Sequence, residues 1–529
     1  MTTSKNTTES QKQNMSGQSI TTSKKLMYNT FFNVLAMVSN AVVGFFLIPF
    51  FLGQLHEVRY GIWVLFGGSI FKFAPLLSMG LNSSINRYIP VYLAKDDDKG
   101  IQQVISTSLL FFLLLAIVLV VITVAVHFNI GSWFPLEAEQ VGTAGVLLLV
   151  VGFCFASAAP LQISSGVLSG LQRYDIINAA MLVTLIVRTI VLVVLLSRGH
   201  GLLTMGLTFG LSEIAMRVLH SIFAWKLLRQ VSFSVANIDF RLLGEMLAYG
   251  INTFLYTMGA IIIYHASNLV IGIFIGPAEV SQFTAATAGV LLLSTFLAAF
   301  TRAIKPAVSD LDARNDELRV REIAFLSQKY SLLLIIPSAC FLVVMGREFL
   351  WIWVGEKFKD PVIINAMGAI LSILAVGHCL RLAQHSNFMV LVGRGKHKIF
   401  GIFTALMALL CVSASVVSVK VFNLGLVAIA WSNFLPMVLI SGVILPIYFN
   451  RTMKISAWDS MRSVWWPAVL GCLPSVVLIS VWKYVAPPDS WVEIFAVVFV
   501  TMAVTLVSCW FLSLKATERR RFVHIALRR

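Results

Sequence analysis

Residues 60–99 read YGIWVLFGGSIFKFAPLLSMGLNSSINRYIPVYLAKDDDK, an apolar run that carries one lysine in its middle and ends in a charged cluster. From Tyr60 to Asn82 almost every residue is apolar or small. At a rise of about 1.5 Å per residue, this run is about as long as the hydrocarbon core of a bilayer is thick. The stretch therefore predicts a membrane-spanning helix.

Lys72 lies roughly 18 Å from the Tyr60 end of that helix by the same rise, which places it near the bilayer midplane. A lone ammonium group there costs at least about 2.5 kcal/mol on insertion scales, so it requires a compensating environment. We expect Lys72 to face a water-filled central cavity and to contact an anionic substrate.

The whole chain has the composition of a polytopic membrane protein. Of its 529 residues, 58% are hydrophobic and 12% are charged, and the mean hydropathy is +0.86. Apolar runs of this length and number could not all be buried in a water-soluble core. The formal net charge of +16 reflects the excess of basic residues that membrane proteins carry in their cytoplasmic loops, and it does not indicate a nucleic-acid partner.

Windows of about 20 apolar residues predict an all-α fold with about 14 transmembrane helices. The predicted spans are 28–52, 60–82, 104–127, 141–168, 176–197, 203–225, 244–275, 280–301, 330–350, 361–392, 399–420, 424–449, 464–485 and 491–513. Lys24-Lys25 precede the first span and Arg519-Arg520-Arg521 follow the last, so both termini are expected to be cytoplasmic. The polar residues 1–25 predict a disordered cytoplasmic tail.

A weak internal repeat divides this array. Phe51-Leu52-Gly53 resembles Phe274-Ile275-Gly276, and Leu168-Ser169-Gly170 resembles Leu391-Val392-Gly393, both at an offset of 223 positions. Because that offset contains about six spans, the two copies would have the same orientation and be related by a pseudo-two-fold axis along the membrane normal. We therefore predict an N-lobe over 26–230 and a C-lobe over 231–450, with helices 13 and 14 and a basic tail over 451–529.

Several further ionisable residues lie within the predicted spans. Helical spacing places Glu213, Arg217 and His220 on one face, and His378, Arg381 and His385 on another, whereas Arg188 stands alone in its span. We expect Lys72, Arg188, Arg217 and Arg381 to form a cationic cavity that binds substrate. Glu213, His220, His378 and His385 are candidates for ion coupling or for structural pairing.

Other interpretations of these residues stay open. Glu213 and Arg217 could neutralise each other and tie helices together, and Arg217 and Arg381 could extend to the headgroups from the ends of their spans. The net charge of these residues tells more about the ligand than their number does, since they include four cations and one carboxylate. That balance favours a phosphate or pyrophosphate ligand over the cationic drugs that a multidrug exporter binds.

The six cysteines fall inside apolar runs, where they predict reduced packing residues rather than a metal site. All predicted external loops are short, and the sequence contains no nucleotide-binding glycine loop, catalytic triad or metal-ligand cluster. We therefore predict that the chain is not an enzyme, although a membrane-embedded enzyme acting on lipid-linked sugars is the alternative of another class.

Five short motifs together resemble a known family. They are Tyr60-Gly61-Ile62-Trp63, Met79-Gly80-Leu81, Arg87-Tyr88, Gly170-Leu171-Gln172-Arg173-Tyr174 with Asn178, and Pro306 after a helix of small residues. Their order and spacing over residues 26–450 resemble the O-antigen and capsule polysaccharide flippases of the multidrug/oligosaccharidyl-lipid/polysaccharide exporter superfamily.

The resemblance implies two six-helix lobes around a cavity, in a bacterial cytoplasmic (inner) membrane. It implies alternating access that carries an undecaprenyl-pyrophosphate-linked oligosaccharide to the periplasmic leaflet for surface polysaccharide (O-antigen, lipopolysaccharide or capsule) biosynthesis. Expected partners are this lipid, membrane lipids, and the glycosyltransferases, polymerase and chain-length regulator of the pathway. No cofactor is expected, the coupling ion is left open between Na⁺ and H⁺, and a lipid II flippase is the alternative within the superfamily.

Overall fold

The computed structural model describes the backbone of residues 3–69, 72–73, 76, 78–228 and 233–527. Within these ranges, side chains are described except at residues 3–31, 252–253, 521–522 and 525–527. Every regular element in the described part is helical, as the sequence predicts.

The chain up to Leu227, which we call the first half, contains seven α-helices in its described part. They are α1 (Thr3–Ile62), α2 (Leu81–Leu93), α3 (Asp98–Trp133), α4 (Ala138–Ala158), α5 (Ile163–Gly170), α6 (Tyr174–Ser197) and α7 (Leu202–Leu227). A wider π-helical segment, Trp63–Ser69, extends α1, and a 3₁₀ turn, Pro160–Gln162, joins α4 to α5.

The second half contains the remaining α-helices. They are α8 (Phe240–Phe274), α9 (Pro277–Thr301), α10 (Ile304–Ala313), α11 (Glu317–Val344), α12 (Gly346–Leu350), α13 (Glu356–Phe358), α14 (Pro361–Ala383), α15 (His385–Gly393), α16 (Lys398–Lys420), α17 (Leu426–Met437), α18 (Leu445–Met453), α19 (Ala457–Ser460), α20 (Trp466–Val485), α21 (Trp491–Ser508) and α22 (Ala516–Leu527). A 3₁₀ turn, Val235–Asn237, precedes α8, and π-helical segments lie at Trp351–Gly355, Val438–Ile444, Met461–Trp465 and Cys509–Ser513.

Thirteen segments of the described chain are long and apolar enough to cross a membrane. The difference from fourteen lies at the start, where the first two predicted spans share one segment, Phe32–Ser69. The backbone of this segment turns sharply at His56, whose φ and ψ are 62° and 171°. The chain is therefore a multi-pass membrane protein. The prediction of a disordered tail over 1–25 concerns residues whose side chains lie outside the described part, and it stays a prediction.

The span predicted over 60–82 is not one continuous helix. Residues 78–80 form a turn in which the φ angles of Met79 and Gly80 are 48° and 79°, and α2 begins after it at Leu81. A Cβ atom on Gly80 would lie 2.7 Å from the backbone oxygen of Gly250 in α8. Only glycine combines this left-handed backbone with so close an approach, so the start of α2 packs directly against α8.

Helix starts in the two halves correspond at the offset found in the sequence. α2 begins at Leu81 and α10 at Ile304, which are 223 positions apart. The breaks between α4 and α5 and between α14 and α15, and the starts of α6 and α16, agree with this offset within a few residues. The division into lobes at 230 and 450 stays a prediction.

The cavity described below lies where the two halves meet. α1 packs against α6 in its own half and against α9 in the other, while α8 contacts α2, α3 and the segment Trp63–Ser69. Glycine allows one of these contacts, because a Cβ atom on Gly61 would overlap the carbonyl of Pro277 at the start of α9.

Candidate functional site

A cavity of about 520 Å³ lies between α1 with its extension Trp63–Ser69, α6 and α7 on one side, and α8 and α9 on the other. The first half of the chain contributes the two strongly basic side chains, Lys72 and Arg188. We call these two residues the cationic wall. The structure thus brings together two of the four cations that the sequence predicts for the cavity.

Neither residue of the cationic wall has an acidic partner. Among the described residues, no carboxylate oxygen lies within 4.0 Å of the Lys72 or Arg188 nitrogen atoms. Lys72 is exposed to the cavity, and the half-buried Arg188 places its guanidinium carbon 4.6 Å from the ring centre of Phe209. An aromatic face stabilises a cation without cancelling its charge, so this guanidinium keeps donors for a ligand.

The second half contributes a surface of different chemistry. Its polar lining residues carry amide, hydroxyl and imidazole groups and include no lysine, arginine or carboxylate; we call this set the neutral wall. They are Tyr264, His265, Asn268, Thr284, Thr287 and Thr295. The amide nitrogen of Asn268 donates a 3.2 Å hydrogen bond to Ser69 Oγ across the boundary between the halves.

Arg217 is paired rather than free. Its Nη2 lies 2.8 Å from Glu213 Oε1, its Nε donates to the same oxygen over 2.9 Å, and neither residue lines the cavity. Glu213 is near enough to Arg188 to act on it electrostatically, but its bonded partner is Arg217. Of the two interpretations that the sequence left open, this geometry matches the self-neutralising pair. His220 is buried, with Nε2 3.4 Å from the carbonyl oxygen of Ile177.

Arg381 is buried behind the neutral wall. Its guanidinium donates to the hydroxyl of Tyr264 and lies 4.4 Å from the centre of that ring, and its Nε donates to His378 Nδ1 over 3.3 Å. The rings of Tyr264 and His378 stack at 5.1 Å. His385 instead pairs its Nδ1 with the hydroxyl of Thr301 at 2.8 Å.

Arg381, His378 and His385 therefore do not line the cavity. Arg381 and His378 contact it through Tyr264, which lines the cavity directly.

Sequence reasoning missed the whole neutral wall. A search for charges in apolar spans does not detect hydroxyl and amide side chains, since these also occur in transmembrane helices as packing residues. His265 was detectable by the same rule that selected Lys72, because it is an ionisable residue within a predicted span.

A cavity with two unpaired cations on one side and neutral donors and acceptors on the other suits a ligand that is both anionic and polyhydroxylated. Among the described residues, no group of three or more histidine, cysteine or acidic side chains is arranged to hold a metal ion.

A family model described as "Polysaccharide biosynthesis protein" matches residues 60–363, which is more than half of the chain. Comparison with curated protein sequences gives no match.

Solved structures share the fold at low sequence identity. The lipid II flippase MurJ in an inward closed conformation has a TM-score of 0.66 and 15% identity, covering 90% of this chain and 97% of its own. An inward-facing multidrug resistance MATE family transporter of the MOP superfamily has a TM-score of 0.63 and 16% identity. This match covers 80% of this chain and 94% of the transporter.

A third structure is a MOP superfamily transporter from Pyrococcus furiosus, described as having a binding pocket of reversed polarity. It has a TM-score of 0.59 and 16% identity, covering 80% of this chain and 95% of its own. At 15–16% identity, these solved structures show the fold that this chain shares with them.

Proposed function

Because this chain belongs to the polysaccharide biosynthesis protein family, we propose that it is a flippase for a polyprenyl-pyrophosphate-linked oligosaccharide. In this proposal, the lipid passes from the cytoplasmic to the periplasmic leaflet of a bacterial inner membrane by alternating access. The transported lipid then serves the biosynthesis of a surface polysaccharide.

The observation that carries the proposal is the cationic wall. A pyrophosphate that joins a lipid to a sugar bears two negative charges, one on each phosphate, and Lys72 and Arg188 supply two positive charges. Charge-assisted hydrogen bonds to phosphate oxygens are about twice as strong as neutral ones, and the guanidinium fork of Arg188 matches phosphate geometry.

Solvation explains why such a cavity is needed. A pyrophosphate and several sugars must cross about 30 Å of hydrocarbon, where unsolvated charges and hydroxyls are very costly. The headgroup therefore travels in the polar cavity while the polyprenyl chain stays among the lipids. Rearrangement of the two halves around the bound headgroup then releases it at the other leaflet.

A flipping assay tests this proposal. The purified protein is reconstituted into vesicles that contain lipid-linked oligosaccharide from the native membrane, and its appearance in the opposite leaflet is followed. The double variant Lys72→Gln/Arg188→Gln should lower the rate at least about tenfold, since it removes two charge-assisted contacts worth roughly 1.5–3 kcal/mol each. Imposed Na⁺ and proton gradients in the same vesicles identify the coupling ion.

Lys226→Gln is the matched control. Lys226 is an exposed cation at the end of α7, with its Nζ 5.8 Å from the ring centre of Phe223, and it does not line the cavity. Normal flipping by the folded double variant would contradict the proposal. Faster transport of lipid II than of the native oligosaccharide lipid would assign the chain to the alternative flippase class.

A further inference from the structure

The cationic wall carries charge and the neutral wall carries hydroxyl, amide and imidazole groups. The headgroup of a lipid-linked sugar likewise has a charged part and an uncharged part. The cationic wall belongs to the first half of the chain, while α8 and α9 present only uncharged or imidazole groups among their polar lining residues. A headgroup made of a diphosphate and a sugar has the same division between charge and hydroxyl groups.

We propose that the neutral wall is a sugar-binding subsite, which orients the headgroup with its diphosphate on the cationic wall and its first sugars against α8 and α9. This inference rests on the proposed function and adds to it the position and the chemistry of sugar recognition.

The threonines of α9 provide the first argument. Thr284, Thr287 and Thr295 lie on one face of the helix, because their spacing follows the three-to-four-residue repeat. The hydroxyls of Thr287 and Thr295 donate to the carbonyls of Phe283 and Leu291 over 2.9 and 3.0 Å. Their oxygen lone pairs are thereby oriented to accept hydrogen bonds from sugar hydroxyls.

Thr284 provides a second and independent argument. Thr284 lines the cavity, and its buried hydroxyl oxygen has no hydrogen-bond partner among the described protein atoms. A buried hydroxyl without a partner is destabilising, so a ligand that supplies a partner at this position is favoured. A phosphate could accept from this hydroxyl, but no lysine or arginine of the same wall lines the cavity to support a phosphate there.

Tyr264 provides a rigid polar and aromatic surface next to these threonines. Its ring is fixed from behind by stacking on His378 and by the guanidinium of Arg381, which also donates a hydrogen bond to its hydroxyl. A fixed side chain recognises a ligand at a smaller entropic cost than a mobile one. Arg381 and His378 are thus positioning residues for Tyr264 rather than ligands of the diphosphate.

The test compares two probes on one pair of substitutions. In Thr284→Val/Thr287→Val, two hydroxyls are replaced by methyl groups of similar size. Farnesyl diphosphate, which has no sugar, should bind this variant with an affinity within about twofold of the wild type. Flipping of native lipid-linked oligosaccharide should fall about tenfold, since two neutral hydrogen bonds to the sugar are lost.

Two further variants control for structural effects. Thr208→Val removes a hydroxyl that bonds to its own helix in the same way, over 2.8 Å to Thr204, but lies outside the cavity, and it should flip normally. Thr284→Ser/Thr287→Ser keeps both hydroxyls and should retain most of the activity.

The inference is overturned if the valine variant flips normally, or if it loses farnesyl diphosphate binding as strongly as flipping. A different result, absence of farnesyl diphosphate binding by the wild-type protein, would overturn the proposed function itself and this inference with it.

Discussion

The two halves of the chain treat their intramembrane cations differently. In the first half, Lys72 and Arg188 face the cavity without a carboxylate within 4.0 Å in the described structure, and only Arg217 is paired. In the second half, Arg381 is buried against Tyr264 and His378, and Lys329, which immediately precedes the predicted span 330–350, is buried in an ion pair with Glu518.

The surroundings of a charge deep in a membrane protein decide whether that charge can still attract a ligand. A cation that is paired with a carboxylate, or buried with its donors bonded to protein atoms, has little attraction left for a ligand. A cation that faces a polar cavity keeps that attraction. In the proposed function, the first half therefore provides the charge for anion binding, and the second half provides a fixed neutral surface.

The largest expected effect tests the buried pair of the second half. Lys329 is 2% exposed, and its Nζ lies 2.7 Å from both carboxylate oxygens of Glu518, which is 12% exposed. Lys329→Met should lower the free energy of unfolding by roughly 3 kcal/mol, because it leaves a nearly buried carboxylate unpaired. Denaturant unfolding of the purified protein measures this change. Lys329→Met/Glu518→Met should recover most of the loss, and equal loss in both variants would contradict the interpretation.

A smaller effect is expected at the contact between the halves. Residue 80 has a left-handed backbone, and Gly80→Ala would place a Cβ atom 2.7 Å from the backbone of Gly250. We therefore expect the free energy of unfolding to fall by about 2 kcal/mol or more. Gly395 also has a positive φ of 67°, but a Cβ atom there would have no neighbouring atom within 4 Å, so Gly395→Ala should cost only about 1 kcal/mol. Similar unfolding midpoints for both variants would contradict a close contact between α2 and α8.

The Glu213–Arg217 pair of the first half should contribute less to the free energy of unfolding than the Lys329–Glu518 pair of the second half. Glu213 and Arg217 keep 21% and 19% of their side-chain surface exposed, so Glu213→Gln leaves a partly solvated guanidinium. We expect a loss of about 1–2 kcal/mol in the free energy of unfolding, against roughly 3 kcal/mol for Lys329→Met. A greater loss for Glu213→Gln than for Lys329→Met would reverse the ranking that burial predicts.

A similarly small effect concerns the hydroxyl of Tyr264. Tyr264→Phe removes the acceptor for Arg381 but keeps the ring that covers the guanidinium. We expect the free energy of unfolding to fall by about 1.5 kcal/mol, the lower end of the range for a hydrogen bond with a charged group, because the Nε of Arg381 still donates to His378. Tyr264→Ala, which removes the ring as well, should lower the free energy of unfolding further. Equal stabilities of the two variants would show that the ring does not support Arg381.

Strong physical constraints made part of this structure predictable from the sequence. Bilayer thickness requires long apolar helices, so the fold class and most spans followed from hydropathy. Lys72 and Arg188 were selected because a mid-membrane charge without a nearby acid needs a polar environment, and in the structure both line the cavity. Their role in substrate binding stays a prediction.

The remaining features depend on three-dimensional packing. Spacing placed Glu213 and Arg217 on one face but could not show whether they bond to each other or to a ligand. Spacing likewise grouped Arg381 with His378, whereas the ring that covers both, Tyr264, comes from another helix over 100 positions earlier. The break before α2 depends on the close approach of Gly80 to Gly250, a contact that a window of apolar residues does not detect.

The most direct measurement is the affinity for farnesyl diphosphate as a function of salt concentration. Our account predicts that Lys72→Gln and Arg188→Gln each weaken binding about tenfold or more and reduce its salt dependence, because each removes one unpaired charge from the cavity. Glu213→Gln/Arg217→Gln, which removes a pair that already neutralises itself, should bind like the wild type. Unchanged affinity in the first two variants, or an equal loss in the third, would contradict the assignment of Lys72 and Arg188 as the anion-binding residues.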